Sequence, residues 1–197
     1  LGSLLPPWHF DVREYHSQVP KEWYQQGGAT FMPHNVYGNM PLAAELPAVL
    51  GTHLMQGDEN WWWGAIVGKV IIASFALLTA LAIYAFGKRF LSRASGVAAS
   101  LVFISTPWTG FVSMSGLIEG ASALYTMLSV YGLALWYTRS DESKHGALVL
   151  AGLTAGAAVA DTRARAVARV RRRMGTSGGL PEVEDKTGAG SRGLIGM

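Results

Sequence analysis

From Gly64 to Phe86 the chain is apolar, and Lys69 is the single charge in the run. A second such run goes from about Ala94 to Met114 and a third from about Leu117 to Thr138, with Glu119 near its start. Each is close to the ~20 residues that a helix needs to cross ~30 Å of hydrocarbon. A fourth run opens at Gly146 and stops at Ala160, where Asp161 follows; it is too short to span alone. The pattern predicts an all-α, polytopic transmembrane helix bundle with spans at 64–86, 94–114 and 117–138 and a partial one at 146–160. Residues 1–63 are polar, aromatic and turn-rich by contrast, and form an extracytoplasmic loop with juxtamembrane helices.

Charge in the loops gives the orientation. Gly87 to Arg93 carries three cations and no acid, the turn around Val112 to Gly116 carries no cation, and the third loop holds Arg139 and Lys144. By the positive-inside rule the first and third loops are cytoplasmic, so the second loop and residues 1–63 lie outside. Trp61, Trp62 and Trp63 then fall where an aromatic belt meets the outer interface. Composition agrees: half of the 197 residues are hydrophobic and only 15% are charged, against roughly 25% in an average soluble domain. The expected location is a bacterial inner (plasma) membrane, and membrane lipid is the first expected partner. With no cysteine, disulfides, thiolate catalysis and Cys-ligated metals are excluded.

The formal net charge of +3 belongs to the end of the chain. Residues 161–197 hold eight of the 16 Lys and Arg but four of the 13 acids, and none of the 21 aromatics. Residues 1–160 are therefore near neutral and give no sign of nucleic-acid binding. The segment 161–197 reads as a basic, Gly- and Arg-rich tail, either disordered or the product of a shifted reading frame. The chain opens on Leu1 with no signal segment and reads as a fragment of a longer protein.

Small residues recur at four-residue spacing in Gly64/Gly68, Gly116/Gly120 and Gly152/Gly156, as in closely packed membrane helices. In the outer segment, Asp11 followed by Glu14 has the form of a capping box. Val12, Tyr15, Val19 and Trp23 share one helical face. An amphipathic helix lying on the membrane surface and bent near Pro20 is expected. A turn-rich loop, Phe31 to Pro41, comes next, and Pro41 is expected to open a short helix carrying Glu45.

Residues 11–160 resemble the GT-C membrane glycosyltransferases, specifically the family 39-like enzymes that include protein O-mannosyltransferases and aminoarabinose transferases. The resemblance rests on Asp11, Arg13 and Tyr15, which approximate the acidic motif that begins the family's first outer loop. Lys21-Glu22, Gly27 and the Tyr37 to Pro41 element follow at similar distances, with Met40 where the family often has lysine. It implies an inverting transferase that takes a sugar from a polyprenyl-phosphate donor to an acceptor on the outer face, with Asp11 as base and Glu119 as a supporting acid.

That chemistry needs a base for the acceptor hydroxyl and cationic or metal help for the leaving phosphate. Asp11 at the lip of the bilayer suits the first task, and as a plain helix cap it would have no chemical task. Glu119 lies on the same side by the topology; an acid inside a span is functional by default, while one at the interface is simply hydrated. Asp11 and Glu119 are the candidate metal ligands, and a divalent cation is the one cofactor for which the pattern leaves room. Lys69, Arg13 and Lys21 are candidates for the phosphate, against snorkelling or solvation as charged helix positions. Tyr15, His16 and Glu45 complete the candidate substrate contacts, with His34, Trp8 and Trp23 as weaker ones. Phosphate-binding loops, dinucleotide folds and Ser/His/Asp sets are absent from the sequence, as suits a lipid-linked donor. Two other readings stand beside this one: a transporter fragment in which Lys69 and Glu119 face each other, and a non-catalytic polytopic membrane protein. The sequence sets neither the sugar, the acceptor nor an oligomeric state.

Overall fold

A computed structural model describes residues 1–39, 43–55 and 61–175, and side chains at 1–39, 44–55 and 62–160. Among the described residues all regular structure is helical. The elements used below are α1 (Gln18–Gln26), α2 (Leu46–Leu54), α3 (Trp61–Phe90), α4 (Arg93–Ser105), α5 (Pro107–Ser115), α6 (Glu119–Thr138) and α7 (Ser143–Gly175).

The centre is α3, which packs against α2, α4, α5 and α6; α7 packs on the far side of α6. Its 30 residues correspond to roughly 45 Å at ~1.5 Å per residue, and its apolar run has no helix breaker. Among the described residues α3 is the one helix long and apolar enough by itself to cross a membrane. The expected span over 94–114 is instead two helices, α4 and α5, meeting at 59°. Pro107 is the cause. Thr106 before it sits at φ −64°, ψ 121°, because proline excludes its predecessor from the helical region. Taken as one broken span, this pair makes a second candidate crossing. The 20 residues of α6 are helical as expected, and α7 covers the expected partial run of 146–160, but the polytopic count drawn from the sequence exceeds what length and apolarity alone support. The backbone of α7 also runs on past Asp161 to Gly175, in keeping with the high helix propensity of its alanines and arginines. The expected tail from 176 on lies outside the described residues.

The core is mainly apolar, yet many large apolar side chains also lie on the surface and a few polar ones are buried. Leu77, Leu81, Leu101, Val102, Leu133 and Leu153 are exposed, while Lys69, Thr79, Ser129 and Thr154 are buried. Thr79 and Thr154 satisfy their hydroxyls on the carbonyls of Phe75 and Leu150, as polar side chains in a helix must where neither water nor a partner is at hand.

The outer segment folds back onto this frame. Asp11 is already helical (φ −59°, ψ −37°) and its side chain makes no cap bond, so the capping-box form is not realised. Val12–His16 is a π-helical turn, closed by the Ser17 amide on the Val12 carbonyl at 2.8 Å. The break comes at Ser17, ahead of Pro20. Pro20 occupies the first turn of α1, where its missing N–H costs nothing. The wider turn advances the buried face by one residue: Val12, His16, Val19 and Trp23 are buried, and Tyr15 is left at the margin. Gly27 at φ 73° ends α1, with the Gly28 amide donating to the Trp23 carbonyl at 2.9 Å as a left-handed cap requires. Pro41 lies outside the described residues; α2 begins at Leu46 with Pro47 in its first turn, and Glu45 ends the short 3-10 turn before it.

Candidate functional site

Two contacts bring the segment before α3 to the turn between α5 and α6, and a third joins α3 to it. Val12 packs with Val112 and Leu117. Ala44 packs with Ile118 and Ala121 at the start of α6. Lys69, just over two turns into α3, lies against Gly116, where an added Cβ would come within 2.8 Å of its Cγ. Gly116 ends α5 at φ 84°, a conformation and a closeness that only glycine supplies. Asp11, one residue before Val12, and Glu119, two after Leu117, thus flank one packed contact. Both make further interactions with the protein.

Glu119 lines an apolar cavity of about 130 Å³ between α3, α4–α5 and α6, with Ala76, Phe103, Val112 and Ala123 among its walls. Phe103 and Ala123 also line the next cavity, about 390 Å³, which continues along α6 past Thr126 and Val130. Through these shared walls the two make a shallow, mainly apolar groove along α6, open to the surroundings, with Glu119 in its first part.

The other candidates fall into different places. His16 and Glu45, which sequence spacing left unrelated, are one buried pair: His16 Nδ1 stands 2.5 Å from Glu45 Oε1, with exposures of 5% and 0%. With the carboxylate ionised, the ring N–H is the donor. Such a position takes Glu45 out of any open cleft. Tyr15 stacks on Tyr37 with ring centroids 5.2 Å apart and packs on the Val19–Trp23–Met32 cluster. Trp23 is correspondingly a core residue and not an interfacial one. His34 pairs with Glu22, 2.9 Å apart, and Glu22 also accepts from Gln18 Nε2 at 2.7 Å. Lys21 is half-buried and engaged. Lys69 is 2% exposed, and its Nζ donates to the Leu5 carbonyl at 2.7 Å; it ties the start of the chain to α3 instead of reaching into open space. Trp8 is 61% exposed, with its ring edge-on to Phe111 at a centroid distance of 5.8 Å.

Arg13 is the exposed cation of the set. With Glu14, Ser17, Gln18, Pro7 and Trp62 it lines a polar cleft of about 460 Å³. Sequence reasoning missed this cleft because Trp62 and Gln18 come to line it only through the fold-back of the segment before α3. As for a metal, no third His or acid joins Asp11 and Glu119 in a ligand group among the described residues.

Comparison with known proteins returned no matching family model, no similar curated protein and no similar solved structure.

Proposed function

We propose that this chain is part of an integral-membrane glycosyltransferase, family 39-like, that moves a sugar from a polyprenyl-phosphate donor to an acceptor at the outer face of the bilayer. The observation that carries the reading is the apolar groove with Glu119 in its first part, beside the contact that holds the turn of Asp11. An isoprenoid chain is long and apolar, and the apolar walls of such a groove suit it, while its phosphate needs a cation and not the Glu119 carboxylate. In this reading α3, the bent α4–α5 pair, α6 and α7 cross a bacterial inner membrane, and their outward leucines and valines face lipid.

The chemistry is a single displacement. The Asp11 carboxylate takes the proton of the acceptor hydroxyl, the resulting oxygen attacks the anomeric carbon with inversion, and the polyprenyl phosphate leaves with the electron pair of the broken C–O bond. Arg13 is the cation free to meet that phosphate. Lys69 shapes the corner through Gly116 and Leu5, and Glu119 supports the acceptor side.

The test is sugar transfer from a polyprenyl-phosphate donor by the full-length parent protein and its Asp11→Asn variant, at matched expression and membrane insertion. Loss of general-base catalysis is worth roughly 10²–10⁴-fold in turnover, and a fall of that size with donor binding retained supports the assignment. Unchanged turnover removes it and favours the transporter reading.

A further inference from the structure

Two helices before α3, α1 and α2, are nine residues long each, and they show opposite surfaces. The exposed residues of α1 are Gln25 and Gln26. Those of α2, apart from His53, are Leu46, Leu50 and Leu54, at 54%, 54% and 63% exposure. Four residues apart, they form one stripe along the helix. We propose that α2 dips into the outer leaflet of the bilayer beside α3, and that its leucine stripe is a docking surface for lipid acyl chains.

Packing on α3 sets the depth. A Cβ added at Gly68 would lie 2.8 Å from the Ala48 Cα, and one added at Gly64 would lie 2.6 Å from the Thr52 Cα. Gly51, between them, meets both Gly64 and Gly68. Later residues of α2 thus lie against earlier ones of α3, and the two helices run antiparallel in close contact. Continued at the same rise, this register sets Leu54 beside Trp62 and Leu46 beside Val70, roughly 12 Å further along α3. The apolar run of α3 begins at Gly64. With Trp62 and Trp63 at the outer interface, a membrane that α3 crosses takes in α2 as well. Trp63 and Val70 are themselves exposed, at 56% and 41%, and continue the apolar surface on this end of α3.

Polar groups are distributed as that depth requires, since in hydrocarbon they must find partners within the protein. At the deep end Pro47 stands in the first turn of α2 and has no N–H to leave unsatisfied. Thr52 turns its hydroxyl onto the Ala48 carbonyl at 3.0 Å. Glu45, just before the helix, is fully buried on His16 instead of pointing outward. His53, the one ionisable side chain of α2, lies in its last turn, at the shallow end. Three leucines about half exposed offer far less than the roughly 800 Å² per partner of a stable protein interface. Acyl chains are therefore the occupant that fits, and not a second copy of the chain.

The inference rests on the reading that α3 crosses a membrane and not on the transfer reaction. Because the sequence has no cysteine, one spin label can be placed at a time in the full 197-residue chain. The variants are Leu46→Cys, Leu50→Cys and Leu54→Cys, with Val70→Cys and Leu77→Cys as references on α3. All five side chains are exposed, so a label leaves the packing of α2 on α3 in place. Circular dichroism identifies any variant that has lost helix, and the remaining positions then decide. In phosphatidylcholine–phosphatidylglycerol vesicles, power saturation compares collisions with oxygen, which gathers in hydrocarbon, and with a nickel chelate, which stays in water. The oxygen-to-nickel ratio is expected to be as high at 46 as at 70, and to fall toward 54 over the roughly 12 Å between them. Oxygen-rich collisions at 70 and 77 with nickel-rich ones at 46, 50 and 54 put α2 in water and overturn the proposal alone. Nickel-rich collisions at all five positions remove the membrane reading and the proposal with it. Shielding of 46, 50 and 54 from both reagents marks a protein partner and overturns the proposal as well.

Discussion

His16 Nδ1 and Glu45 Oε1 lie 2.5 Å apart in the protein interior although 29 residues separate them in the chain. The second oxygen of Glu45 is buried with no hydrogen-bond partner among the described residues. Removing the imidazole leaves the whole carboxylate buried and unsatisfied, so His16→Ala is expected to lower unfolding free energy by about 3 kcal/mol. Glu45→Gln keeps the shape and one acceptor, and is expected to cost less. Thermal denaturation of the purified protein in detergent checks this, and a His16→Ala variant as stable as wild type would remove the pair's structural role.

Small-residue spacing separates into working and idle pairs. An added Cβ at Gly64 would lie 2.6 Å from the Thr52 Cα, and one at Gly68 2.8 Å from the Ala48 Cα. Gly64→Ala is therefore expected to cost about 1–3 kcal/mol as α2 is pushed off α3. Gly152 and Gly156 have nothing within 4 Å of such an atom, and alanine there is expected to gain up to ~1 kcal/mol of helix propensity. Unfolding titrations of the alanine variants test the contrast, and equal effects at the two places would refute it.

Lys69→Met keeps the packing of the aliphatic stem on Gly116 but strips the Leu5 carbonyl of its donor, at a cost of about 1–3 kcal/mol if that carbonyl stays buried. Loss of the tie is local. Hydrogen exchange is expected to rise over residues 1–8 while α3 and α6 keep their protection. A global loss of protection would mean that Lys69 supports the bundle itself.

Pro107→Ala is expected to let α4 run on into α5. Spin labels at 97 and 114 should move apart toward the roughly 26 Å that 17 residues span in a straight helix. Dipolar spectroscopy measures that distance. An unchanged value would show that the packing of α5 on α3 sets the bend.

Much of the helical frame is legible in the sequence, because a long apolar run without a breaker has one low-energy form whatever surrounds it. The run of α3 gives its existence and its core, and the amphipathic pattern from Val12 to Trp23 gives the buried side of the outer segment. The places where pattern reading misleads are local. Pro107 outweighs the apolarity around it, since a missing N–H and a ring clash act on the backbone directly. The π-helical turn shifts the face by one residue, exchanging Tyr15 for His16. Small-residue spacing alone does not separate Gly64, which meets a neighbour, from Gly152, which meets none.

By itself, then, the sequence determined helical class, the position of α3, and the residue types on which any chemistry must draw: Asp11 and Glu119, a lysine in an apolar run, a few cations and histidines. Only the tertiary structure decided how those groups are used. It sank Glu45 onto His16, committed Lys69 to the Leu5 carbonyl, set Glu119 in an apolar groove and brought Trp62 and Gln18 to one cleft. The physical reason is range. Helix formation rests on contacts three to five residues apart, which composition and periodicity record. The charge of a buried group is satisfied by partners 29 or 64 residues away, and no local pattern encodes which they will be.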